Sequence, residues 1–398
     1  MKKVLFFFSA CVLLSGCATA PPITSTPGVA ASAISEPPPE PPSASETTEP
    51  AEPSVAADTR VTTIEAYIDT MTLPEKIASL FWVSPEQLGG TKHTFTEQTT
   101  RALADNPVSG VVFFASNIKD EVQTRALTAA FRAEGKPGFV VAVDEEGGRV
   151  SRLGGVGGFP KTPAMGALRD GQAVYNALRN IGDHLVDWGF NLDLAPVCDV
   201  LTWSDDPVIG DRSFGQDAET VSALVTEAVR GLLDSGAQPC LKHFPGHGGA
   251  VGDSHKGAVS VPYDLTLLRS VDWPPFAAGV TAGARIIMVG HIALPEATGD
   301  DIPASLSHAI VTDFLRKELC FDGLVVTDSM QMGAITERLD AGEAAVQALL
   351  AGCDVILMPE DLSKAIDGVR QAVMSGRLDE SRLDLSIRRR LEIFFTVD

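Results

Sequence analysis

Positive charge is scarce in this chain. Its 398 residues carry 31 Lys and Arg against 52 Asp and Glu, a formal net charge of −21 at pH 7. Nucleic acid is disfavoured as a partner, because it needs a basic face. Metal-ligating cysteine spacing is missing too. The six cysteines include no Cys-x-x-Cys pair, which argues against a zinc site. The apolar run at the amino terminus, Val4 to Leu14, falls short of the roughly 20 residues that a membrane-spanning helix needs. No Gly-x-Gly-x-x-Gly follows an early strand in the right context. Gly154-Gly155-Val156-Gly157-Gly158 is glycine-rich, but it lies well after its strand and lacks a Lys-Ser/Thr ending. It reads as a flexible loop and not as a phosphate cradle.

What is present at the amino terminus is a basic start, that short apolar core, and then Leu14-Ser15-Gly16-Cys17. Together they make a secretory signal over residues 1–17. The last four residues resemble the bacterial lipoprotein cleavage box. Cleavage there would leave Cys17 carrying lipid, an anchor and not a span. The expected location is outside the cytoplasm, on the periplasmic or cell-surface face of a bacterial membrane. Residues 18–58 are rich in Pro, Ser, Thr, Ala and Glu and bury too little apolar surface to fold, so they read as a disordered tether. Residues 59–398 are read as one catalytic domain. Cys198, Cys240, Cys320 and Cys353 each sit in or beside an apolar run and read as buried free thiols. An exported setting leaves a disulfide open.

From Ser79 onward, short apolar runs alternate with helix-like stretches. The runs are Ser79–Val83, Gly110–Phe114, Phe139–Val143, Phe190–Ala195, Pro239–Leu241, Ile286–Val289, Leu324–Val326 and Val355–Met358. Near-continuous Val, Ile, Leu and Phe runs fit strands covered on both faces of a parallel sheet. Val221–Leu233 and Glu343–Ala351 are examples of the helical stretches between them. Eight such units predict an α/β fold, a (β/α)8 barrel; a doubly wound open sheet is the competing arrangement.

A barrel places its chemistry at the carboxyl ends of the strands. Five of the runs end there in polar residues: Asp144-Glu145-Glu146 with Arg149, Asp199 with Asp211 and Arg212, Lys242-His243, His291, and Asp328-Ser329. Any one could be a helix cap; five together point to a site. Carboxylates and cations so grouped make strong, directional bonds to sugar hydroxyls. Cleaving a glycoside needs a nucleophile or base on one face and a proton donor on the other. Asp328, directly after a buried strand, is the best carboxylate. No Glu is comparably placed as the donor. His255 can serve instead, since imidazole titrates near neutral pH and Asp253, two residues before it, can fix its tautomer. His243 and His247 have the spacing of a metal pair, but Pro245 and Gly246 lie between them, so no helix aligns the rings. No metal and no cofactor is expected.

These segments are familiar as a set. Asp144-Glu-Glu-Gly-Gly-Arg-Val-Ser-Arg152, Ile209-Gly-Asp-Arg212-Ser-Phe, Lys242-His-Phe-Pro-Gly-His-Gly, Asp253-Ser-His255 and Phe321-Asp-Gly-Leu-Val-Val-Thr-Asp328 resemble glycoside hydrolase family 3. More narrowly, they resemble its single-barrel bacterial β-N-acetylglucosaminidases. The resemblance covers roughly residues 60–398. It implies Asp328 as nucleophile, His255 as acid/base and Asp253 as its orienting partner. It implies Asp144, Arg152, Arg212, Lys242 and His243 as the residues that hold a terminal N-acetylglucosamine. The implied reaction is retaining hydrolysis of terminal β-linked N-acetylglucosamine from peptidoglycan fragments or related glycans. Phosphorolysis of the same bond, and β-glucosidase or β-xylosidase activity, are the alternatives. The family's β-glucosidases carry a Glu acid on a second domain, and no such domain is expected here. Two positions depart from the family pattern: Ser329 stands where a second Asp is frequent, and Glu145 where Gln is usual.

Overall fold

The computed structural model describes residues 55–395, apart from 205, 251 and 255, with the side chains of 55–59 also left aside. The signal segment 1–17 with Cys17, nearly all of the tether expected over 18–58, and His255 therefore lie outside the described residues. The first helix, Val55–Thr70, takes in residues 55–58, which the composition had grouped with the tether.

Nine short strands carry the fold. They are β1 (Phe81–Val83), β2 (Gly110–Phe113), β3 (Val140–Val143), β4 (Leu192–Asp193), β5 (Gln238–Pro239), β6 (Leu241–Phe244), β7 (Ile286–Val289), β8 (Leu324–Thr327) and β9 (Ile356–Leu357). Six of them form one parallel sheet in the order β9-β1-β2-β3-β4-β5, and three form a second in the order β8-β7-β6. Two parallel bridges, Val197 with Lys242 and Val326 with Val355, lie outside the named strands. Each of the eight apolar runs expected to be strands overlaps one. The fifth differs at its end: the chain stays extended through Lys242 and His243 to Phe244. Both polar residues are buried there, because carboxylates from neighbouring segments meet them.

Successive side chains of a strand point to opposite faces, and here both faces are apolar. Trp82, Val112, Val140, Ala142, Ile286, Met288, Leu324 and Val326 pack with one another on one face. Phe81, Val83, Val111, Phe113, Val141, Val143, Ile287, Val289 and Val325 pack with the helices on the other. Two-sided burial of this kind is what a parallel sheet with helical crossovers requires.

Part of the acidic excess has a structural use. Asp120, Asp170, Asp217, Asp340, Asp361 and Asp379 each precede a helix and accept a hydrogen bond from a backbone N–H of its first turn. That satisfies an otherwise orphaned donor and places negative charge at the positive end of the helix dipole. Helix Ala218–Ser235 contains the expected Val221–Leu233, and Ala341–Ala351 the expected Glu343–Ala351; both stop at a left-handed glycine, Gly236 and Gly352. Cys198, Cys240 and Cys353 are buried free thiols, as expected, but Cys320 is exposed. It sits in the short turn between helix Ala309–Glu318 and β8, which carries it away from the apolar run that follows.

Candidate active site

The carboxyl ends of the strands open into a cavity of about 700 Å³. Asp144, Arg152, Arg212, Lys242, His243, Asp253 and Asp328 all line it. These are all the site residues expected from the sequence except His255, which lies outside the described residues. Val112, Leu194, Met288 and Leu357, from the strand face opposite the helices, give the cavity an apolar floor.

Lys242 is the centre of the polar wall. Its Nζ lies 2.6 Å from Asp144 Oδ1 and 2.6 Å from Glu146 Oε1, with its side chain only 2% exposed. Arg212 takes Glu146 in a two-point grip, Nε to Oε2 and Nη2 to Oε1, both 2.8 Å. Arg152 Nη2 stands 3.6 Å from Asp144 Oδ2. Burial would push the Glu146 carboxyl up, but Lys242 and Arg212 outweigh it and hold the group down at about 2. The same carboxylates raise Lys242 against a burial penalty that would lower it. Glu146, Lys242 and Arg212 are each shifted toward the charged form. Two arginines and a lysine face two carboxylates within this lattice.

Asp328 is beside it. The backbone of Asp328 continues the ladder past β8, its N–H donating to the Val289 carbonyl at 2.8 Å, and its Oδ1 accepts the Ser329 N–H at 2.7 Å. Burial raises its pKa, but His291, His243, the Ser329 N–H and Lys242 together bring it below the ordinary carboxylate value. A carboxylate kept ionised at a strand end, facing a cavity, is equipped to act as a nucleophile.

Asp199 orders the histidines. Its Oδ2 is 2.7 Å from His243 Nδ1, and its Oδ1 accepts the backbone N–H of His243 at 3.2 Å and of His247 at 2.7 Å. A carboxylate can only accept here, so the His243 proton is assigned to Nδ1 and Nε2 is left as an acceptor at the cavity, 3.4 Å from Arg212 Nη2. The Pro245-Gly246 turn follows directly. Gly246 has φ +122°, and a Cβ there would fall 2.5 Å from Asp272 Oδ1, so the turn needs glycine. Beyond it, Asp253 Oδ2 lies 3.3 Å from Lys256 Nζ.

Loop geometry delivers Arg152. Glu145, fully buried, accepts the N–H groups of Arg152 at 2.7 Å and Leu153 at 2.8 Å, together with the Ser151 hydroxyl. It thereby folds the hairpin of Glu145–Gly147 and Val150–Ser151 back toward Asp144. Glu146, Asp199 and His247 received no role from the sequence. Glu146 and Asp199 stand among the strand-end residues that pointed to a site; Glu146 shares the side of Asp144 at two-residue spacing, whereas the partners of Asp199 come from distant segments that no local pattern reveals.

Carboxylates, two arginines and a lysine at the carboxyl ends of parallel strands, with Asp328 and the loop residue Asp253 at the same cavity, define a carbohydrate-cleaving site. Residues 72–393 match the glycosyl hydrolase family 3 N-terminal domain. The chain belongs to glycoside hydrolase family 3. It is 38% identical over 301 residues to the beta-hexosaminidase LpqI of Mycobacterium tuberculosis, covering 73% of this chain and 76% of that one. The solved structure of M tuberculosis LpqI superposes with a TM-score of 0.74 over 84% of this chain and 97% of that one, at 34% identity. A family 3 beta-N-acetylglucosaminidase from Paenibacillus sp. str. FPU-7 gives 0.75 at 34% identity, over 81% of this chain and 62% of that one.

Proposed function

We propose that this chain is a retaining exo-β-N-acetylglucosaminidase, a β-N-acetylhexosaminidase acting on terminal β-linked N-acetylglucosamine. The observation that carries the reading is the ionised Asp328 facing the lattice of Asp144, Glu146, Arg152, Arg212 and Lys242 across one cavity. The lattice is a rigid, charged hydroxyl-binding wall beside the nucleophile. Asp328 attacks the anomeric carbon while His255, aligned by Asp253, protonates the departing oxygen. Water then attacks the glycosyl-enzyme with His255 as the base. The beta-hexosaminidase and beta-N-acetylglucosaminidase relatives support the sugar and the linkage. Peptidoglycan fragments and related glycans are the proposed natural substrates.

The fold that serves this chemistry is read as a closed (β/α)8 barrel. β5 and β6 are separated by Cys240 alone, so they count as one strand, which leaves eight. The Val197–Lys242 and Val326–Val355 bridges support joining the two sheets at both seams. Outside the described residues, we read Cys17 as lipidated and the enzyme as exported and anchored.

The test is a panel of aryl glycosides with the purified chain, in buffers with and without phosphate. The β-N-acetylglucosaminide is expected to turn over well ahead of the β-glucoside and β-xyloside, giving free sugar in both buffers. Preference for glucoside or xyloside, or sugar 1-phosphate as product, would overturn the assignment.

A further inference from the structure

We propose that His247 is a positioning residue for the proton-donor loop and acts on it through Ser254. The inference rests on the assignment of the donor to the Asp253–His255 segment, and it concerns how that segment is held. The His247 ring is buried, 3% exposed, in the cavity wall. Its Nε2 lies 3.3 Å from Ser254 Oγ, whereas Nδ1 has no hydrogen-bond partner among the described residues. A buried orphan N–H is rarer than an under-satisfied acceptor, so the proton is assigned to Nε2, which donates to Ser254. Burial also favours the neutral ring.

Ser254 is itself 2% exposed and is gripped from a second side, its carbonyl accepting the Ala334 N–H at 3.3 Å. Ala334 follows Asp328 in the chain by six residues, so one grip comes from the nucleophile's own segment. The other comes from the Lys242–Gly248 segment. There His247 is anchored by its backbone N–H to Asp199, the carboxylate that also fixes His243. Asp253, next to Ser254, lines the cavity. His247 thus ties the placement of the donor loop to the carboxylate that orders the sugar-facing histidine. Its Nε2 is engaged with Ser254 Oγ, so its role is the placement of that residue.

The experiment compares two β-N-acetylglucosaminides, one with an activated dinitrophenyl leaving group and one with a simple alkyl leaving group. A positioned proton donor matters for the second far more than for the first. General acid help is typically about 10²–10⁴-fold, and misplacing the donor removes part of it. His247→Leu and Ser254→Ala are expected to lower kcat/KM on the alkyl glycoside about tenfold or more, with the activated substrate affected much less. His247→Gln, whose amide nitrogen reaches about as far as Nε2, should recover most of the loss. Because the two residues share one bond, the double variant should be little worse than the worse single variant. Equal losses on both substrates, or additive losses with no recovery by Gln, would overturn the proposal. Ser254→Ala, a one-atom deletion, decides the matter even where His247→Leu fails to fold. His255→Ala is measured alongside. If it too fails to discriminate between leaving groups, the donor assignment falls and the positioning role with it. If it discriminates and the His247 and Ser254 variants do not, the positioning role alone falls.

Discussion

In the proposed mechanism the chemistry turns on Asp328, and two features of its environment support that role. It lies where β8 ends, so its side chain reaches the cavity and not the packed core. The groups around it, His291, His243 and Lys242, hold its pKa down despite burial. Folding therefore delivers it ionised and keeps it so as the solution becomes mildly acidic. Asp328→Asn is expected to abolish turnover with little effect on the melting temperature, since the residue contributes no apolar packing. A 2-fluoro or 5-fluoro glycosyl donor should label the peptide containing Asp328. Label on a different carboxylate, or near-normal rates in the variant, would reject the assignment. At this scale the sequence was most legible where a charged residue follows an apolar run, as with Asp144, Lys242 and Asp328. It was least legible for Glu146 and Asp199. Their functions are relations to Arg212, to Lys242 and to the two histidines, and those relations exist only once the strands are side by side.

Elements were legible through their apolar runs, and the misreadings were at their ends. The fifth run was expected to stop at Leu241, where its apolar residues end. Asp144, Glu146 and Asp199 neutralise and satisfy Lys242 and His243, and the strand continues to Phe244. The same kind of bonding at the other edge of the sheet holds the last helix, Glu380–Phe394, and no local pattern announces it. Asp354, fully buried just before β9, receives Arg316 at 2.6 Å, Arg382 at 3.2 Å, Arg389 at 3.1 Å and the Ser386 hydroxyl at 2.9 Å. It also accepts the Val325 N–H at 2.9 Å. Burial alone would raise its pKa, but the three guanidinium groups bring it below the ordinary value. A depressed carboxyl contributes stability that is complete above its unfolded-state pKa, about 3.9, and is lost as pH falls through the folded-state value. Removing the charge leaves three buried or half-buried arginines without it, and breaking a buried ion pair costs about 3–5 kcal/mol. Asp354→Asn should therefore melt several degrees lower at neutral pH and lose less of its remaining stability on acidification. Because Asp354 is at the amino-terminal edge of the strands, away from the cavity, kcat/KM of the folded variant should stay close to that of the wild type. An unchanged melting temperature would contradict the clamp, and a loss of activity without loss of stability would contradict its separation from the site.

For the whole chain, charge and anchoring bear on each other. Capping aspartates give part of the acidic excess a structural use, and the chain as a whole carries a net charge of −21. A chain of that sign is repelled by an anionic lipid surface, where basic segments would be drawn in. Among the described residues, no helix is long and apolar enough to cross a membrane. Electrostatics therefore opposes binding of the chain as a whole to such a surface, and an apolar attachment would be needed to offset it. We propose that Leu14-Ser15-Gly16-Cys17 supplies such an attachment through a lipid on Cys17. The expectation is that the full chain, expressed in a bacterium, fractionates with membranes and stays there in high salt, because acyl chains hold by burial of CH₂ groups and not by charge. Cys17→Ser should either appear in the soluble fraction or accumulate unprocessed with a larger apparent mass, with catalytic activity per folded molecule unchanged. A variant that is processed like the wild type and remains with the membranes would show that something other than Cys17 holds the protein there. Release of the wild type by salt would show that the attachment is electrostatic, against the sign of the chain.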